Sequence, residues 1–154
     1  MGCRREQLGG TRKDQPLNTL QIHCRCGQVG LEITGPPLVQ AYCHCDDCRA
    51  ACGGAYVASS TYPAPAVQVV RGTPTAITVK TTPRLRCQAC GTPLFSEITA
   101  LGLRSVNAFL LPSHAFQPQM HVQCQHAILP VVDALPHFKD FPAQAGGSGE
   151  RVDW

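Results

Sequence analysis

The sequence predicts a mainly β fold with little helix, and three observations carry that expectation. Aromatic residues are only 6 % of the 154 residues, whereas there are 14 Gly and 13 Pro, a balance that suits short strands joined by turns. Turn-forming clusters ("GPP", "YPAP", "RGTP", "TTP", "LPS") interrupt the chain every 8–12 residues or so, the rhythm of an all-β domain. Alternation is visible where Val29, Leu31 and Ile33 share one face while Gly30 and Glu32 take the other.

Taken in order, residues 1–16 are polar, charged and without periodicity, and read as a flexible leader. Strand-like runs follow in "LNTLQIHC", "QVGLEITG", "LVQAYCHC", "AYVASSTY", "AVQVVRG", "TAITVKTT", "LRCQ", "PLFSEI", "SVNAFLL" and "QMHVQC". Two short pieces are helix-like, Asp46 to Ala51 and Val131 to Phe138. Residues 17–142 therefore form one domain, and 143–154, "AQAGGSGERVDW", read as a flexible tail.

Charge excludes some partners. The formal net charge is +3, of which Arg4, Arg5, Arg12 and Lys13 against Glu6 and Asp14 supply +2 within the leader. The remainder has no basic stripe, so neither nucleic acid nor an anionic membrane surface is an expected partner. No run approaches the ~18 apolar residues of a membrane span. The leader has no apolar stretch behind its charges, and in "MGCRRE" Glu6 stands where a myristoylation signal has Ser or Thr. The expectation is a cytoplasmic protein, where ten cysteines serve metal or thiol chemistry more readily than disulfides.

Eight of those cysteines form two sets. "HCRCGQ" supplies Cys24 and Cys26, and "RCQACGTPLF" supplies Cys87 and Cys90. A CxxC followed by Gly is a knuckle whose loop turns both sulfurs to one point, and Cys24 and Cys26, two apart on a strand, face the same way. Four thiolates around Zn²⁺ close a tetrahedron, so this set is expected to be structural. The second set lies in "YCHCDDCRAACGG": Cys43 and Cys45 share a strand face, and a turn at Asp46 and Asp47 returns Cys48 to the same side. Three ligands are what a catalytic zinc has. His44, between two ligands, is aimed away from the metal and is expected to be packed or hydrogen-bonded. Cys52 follows Cys48 by four, so one helical turn would set it alongside. If it ligates, the site closes; the spacing leaves both arrangements open. Cys124 is expected as a packing residue, and His23, His114, His121, His126 and His137 show no ligand spacing to one another.

The order of these motifs, CxCG (Cys24–Gly27), CHCxxCR (Cys43–Arg49), CxxCGTPL (Cys87–Leu94) and the late "VDALPHF", resembles the glutathione-dependent formaldehyde-activating enzyme family, which includes centromere protein V. The resemblance covers roughly residues 20–140. It implies a β-tent fold of small antiparallel sheets around two zinc ions per chain. Cys24, Cys26, Cys87 and Cys90 match the structural ligands, and Cys43, Cys45 and Cys48 the catalytic ones. The implied activity is that of a carbon–sulfur lyase acting on a glutathione adduct such as S-hydroxymethylglutathione. Three positions depart from the pattern. Cys52 stands where Thr or Ser is usual, Arg86 replaces an aromatic residue, and "HAILPVV" lacks a Pro-Trp pair.

From these residues the expected mechanism has a small thiol, glutathione or a relative, docking sulfur-first on the centre of Cys43, Cys45 and Cys48, with Arg49 facing a substrate carboxylate. The alternative is a zinc-stapled scaffold or interaction module in which Cys52 closes the second site. An all-β chain with exposed edges is also compatible with a homodimer.

Overall fold

The computed structural model describes residues 19–154; the leader expected over 1–16, with Cys3, lies outside the described residues. Ten strands and one α-helix are found among the described residues, and each strand-like run contributes one strand. β1 (Thr19–His23), β2 (Gly30–Thr34) and β5 (Val67–Arg71) form a three-stranded antiparallel sheet in the order β1-β2-β5. The remaining strands are β3 (Val39–Cys43), β4 (Val57–Pro63), β6 (Pro74–Val79), β7 (Thr82–Cys87), β8 (Pro93–Ile98), β9 (Leu103–Asn107) and β10 (Met120–Val122). They make a seven-stranded sheet ordered β10-β3-β4-β9-β8-β7-β6. Its pairs are antiparallel except β10–β3, which is parallel.

One apolar cluster draws on both sheets. Ile22, Leu31, Ile33 and Val67 of the small sheet join Ala58, Tyr62, Leu94, Phe95 and Val106 of the large one. The alternation of Val29, Leu31 and Ile33 places all three in this core, each side chain worth about 1.5–3 kcal/mol on burial. Glu32, on the opposite face, accepts a hydrogen bond from Gln21 Nε2 across the β1–β2 pair.

Of the two expected helices, one is present and the other is not. α1 spans Asp46–Cys52, with Asp46 and Asp47 in its first turn, where acidic side chains favour the helix N-terminus. Val131 to Phe138, in contrast, contains no helix. Pro136 interrupts any helical ladder there, and the segment instead lies beside β10 through a parallel bridge between His121 and His137. Beyond it, residues 143–154 fold back on the domain. Ala143–Ala145 makes a 3₁₀ turn, Arg151 bridges Phe138, and the Val152 N–H donates to the His137 carbonyl at 2.9 Å.

Candidate metal centres

Two turns build the first centre. The β1–β2 loop carries Cys24 and Cys26, Cys87 closes β7, and the turn that follows it carries Cys90. Cys24 and Cys26 sit in the turn rather than along a strand, so it is loop curvature, not strand alternation, that aims both sulfurs together. Gly27 and Gly91 have φ of +76° and +71°, a region costly for other residues. Their N–H groups donate to the carbonyls of Cys24 and Cys87, each at 2.9 Å. All four sulfurs lie within 4.8 Å of one another. The Cys24–Cys26 and Cys26–Cys87 separations are 3.5 and 3.7 Å, close to the ~3.8 Å edge of a tetrahedron with ~2.3 Å Zn–S bonds. Polar partners brace the sulfurs: the Val29 N–H reaches Cys24 Sγ at 3.2 Å, and Thr92 Oγ1 lies 3.0 Å from Cys90 Sγ. That hydroxyl draws the Cys90 thiol down to about 5. The set fits a closed thiolate metal site.

The second centre comes from one short stretch. Cys43 ends β3, Cys45 caps α1, and Cys48 lies in the helix; their sulfurs converge within 4.8 Å. Cys45 Sγ accepts the Cys48 N–H at 3.3 Å. The protons are shared unequally. The thiols of Cys43 and Cys48 hold Cys45 down to about 2, while Cys43 is pushed far up, first by its bond to Cys45. Three crowded sulfurs cannot all ionise without a cation among them, which is the behaviour of a metal-ligand set. Cys52 ends α1, is exposed, and lies outside the converging group. The four-residue spacing sets it on the helix but not at the sulfurs.

His44 points away from the sulfurs, as alternation requires, and is fully buried. Its Nε2 lies 2.9 Å from His121 Nδ1, and burial brings its pKa down to about 4. Arg49 donates from Nε to the His44 carbonyl at 3.1 Å and pairs with Asp46. Cys124 is buried, and burial pushes its thiol up to about 11.

Two features escaped the sequence reading. Arg84, 9 % exposed, places Nη2 4.0 Å from Cys48 Sγ and anchors Nη1 on the carbonyls of Val79 and Thr82. Arg86 donates to the Ala51 carbonyl at 3.0 Å, and its buried Nε has no partner. The spacing "RLR" signals two cations on one strand but not that they meet α1. The second is a group of His121, Asp133 and His137 whose ligand atoms lie within 4.8 Å, although the histidines show no ligand spacing in sequence.

The model of one protein family, the glutathione-dependent formaldehyde-activating enzymes, matches residues 19–126, more than half of the chain. Among solved structures, a crystallographically determined Rhodobacter sphaeroides protein is similar in fold. Its TM-score is 0.52 at 22 % identity, covering 61 % of this chain and 89 % of that one. No curated protein matches the chain.

Proposed function

Because the chain belongs to the glutathione-dependent formaldehyde-activating enzyme family, we propose that it is a zinc-dependent carbon–sulfur lyase acting on a small-thiol adduct such as S-hydroxymethylglutathione. The observation that carries this reading is the convergence of Cys43, Cys45 and Cys48 without Cys52. Three protein sulfurs leave a coordination position for a ligand from solution, whereas the set of Cys24, Cys26, Cys87 and Cys90 is complete by itself. Zn²⁺ held by the three would supply a soft Lewis-acidic position at which a thiol ionises readily.

The chain's own residues do the rest. Cys43 and Cys45 fix two ligand directions from the end of β3, and α1 fixes the third through Cys48. Arg84 offsets the surplus negative charge beside Cys48. Arg49 can exchange the exposed Asp46 for a substrate carboxylate. Buried and neutral, His44 acts as a packed support for the strand rather than as an acid. The reaction requires no redox partner. The C–S bond of the hemithioacetal breaks, the hydroxyl proton leaves for the sulfur or solvent, and thiol plus aldehyde result; the reverse direction forms the adduct.

The scaffold alternative requires Cys52 as a fourth ligand, and its place outside the group counts against that. Zinc-edge X-ray absorption on the full chain, with and without glutathione, tests the reading. Added glutathione is expected to raise the number of sulfurs per zinc. An unchanged sulfur shell overturns it.

A further inference from the structure

We propose that His121, Asp133 and His137 form a third cation site, separate from the cysteine centres and suited to a borderline first-row divalent ion. Two imidazoles and one carboxylate favour such ions over the soft ones that thiolates select.

The backbone assembles the set. The parallel bridge between His121 and His137 is held by the His121 N–H on the Pro136 carbonyl and the Phe138 N–H on the His121 carbonyl, both 2.9 Å. It stacks the two rings with centroids 4.5 Å apart. Asp133 arrives from the preceding turn and is steadied by the Leu135 N–H on Oδ1 at 2.9 Å.

The distances fit a coordination polyhedron. Asp133 Oδ2 is 3.0 Å from His121 Nε2, and Oδ1 is 3.5 Å from His137 Nε2. Ligands held at ~2.1 Å lie ~3.0 Å apart across an octahedral edge and ~3.4 Å across a tetrahedral one. Hydrogen bonding alone does not complete the group, because His137 Nε2 is buried without a hydrogen-bond partner. Leaving a buried ring nitrogen unpaired is costly, and a cation among the three donors removes that cost. His121 also has the outer partner that ligating histidines commonly keep, since its Nδ1 lies 2.9 Å from His44 Nε2.

Trp154, the only tryptophan of the chain, sits against this group, its ring 4.6 Å from that of His137 and 6.2 Å from that of His121. Its nearness makes it a fluorescent reporter of the site. The experiment is a titration of zinc-loaded full-length protein with Co²⁺, read by tryptophan fluorescence. It is run on the unaltered chain and on Asp133→Asn and His137→Gln, with retained cysteine-bound zinc as the check that each variant is folded. Saturable quenching is expected in the unaltered chain, weakened about tenfold or more in both variants. No saturable quenching, or equal quenching in a folded variant, overturns the site. Cys45→Ser should quench like the unaltered chain, which separates this result from the fate of the lyase reading.

Discussion

The two cysteine centres use the same ligand atom for opposite structural ends. The first joins turns from different sheets, with Cys26 and Cys87 in contact across 61 positions. The second gathers Cys43, Cys45 and Cys48 from the end of one strand and the helix that follows it. A cation in the first therefore closes a long loop and ties the sheets together, so its binding energy becomes folding energy. One in the second closes almost nothing, because the local chain already brings the sulfurs together. The lesson is that ligand separation along the chain, more than ligand type, distinguishes a staple from a centre free to exchange a ligand.

The sharpest way to break that comparison is to open the staple. Cys87→Ser, or removal of its metal by a chelator, should unfold the domain. Structural thiolate zinc supplies about 10–16 kcal/mol in small domains, against a total stability of about 5–15 kcal/mol. The check is thermal unfolding by circular dichroism. A cooperative transition near that of the unaltered protein would show that the apolar core alone holds the two sheets together.

Cys45→Ser should instead leave the fold nearly intact while removing function. Zinc content is expected to fall by one equivalent, and glutathione binding and lyase turnover to fall about a hundredfold or more, since loss of even an outer-shell partner costs 10–100-fold. Calorimetric titration with glutathione measures the loss. Full zinc content together with undiminished thiol binding would remove the second centre from the mechanism.

Much of this contrast was legible in the sequence, for a physical reason. Ligand spacing is local, so "CRCG", "CQACG" and "CHCDDC" announce converging sulfurs, although a loop rather than a strand aims Cys24 and Cys26, and each strand-like run has its strand. What remained hidden depends on distant segments meeting. Arg84 reaches Cys48 only because β7 lies against α1, and His121 meets His137 only through a parallel bridge that no spacing rule anticipates. Helical character over Val131 to Phe138 fails for a partly local reason. Its apolar residues look periodic, but Pro136 and pairing with β10 decide the conformation.

Arg84→Gln sharpens the comparison further. Arg84 touches the three-sulfur centre and none of the four sulfurs of the other, so its loss should act on one centre only. A charged partner removed beside a thiolate is expected to weaken glutathione binding about tenfold, with zinc at the first centre unchanged. Parallel metal analysis and glutathione titration would show it. Equal weakening of both centres would mean that Arg84 supports the sheet rather than the site.

The smallest effect is assigned to Cys52, where the sequence left two arrangements open. Cys52→Ser should keep the zinc content and glutathione affinity of the unaltered chain, because the exposed sulfur lies outside the converging group. Its thiol is raised above the ordinary value, chiefly by desolvation and against the opposing charges of Arg84 and Arg86. A raised pKa means that little thiolate is present at neutral pH, so alkylation of Cys52 should be slow there. The rate should climb with pH until the thiol ionises, whereas buried Cys124 stays unreactive in the folded chain. Mass spectrometry of the alkylated, zinc-loaded protein across a pH series reads both rates. A Cys52 that resists alkylation until zinc is withdrawn would be a ligand after all, and the second centre would then be as closed as the first.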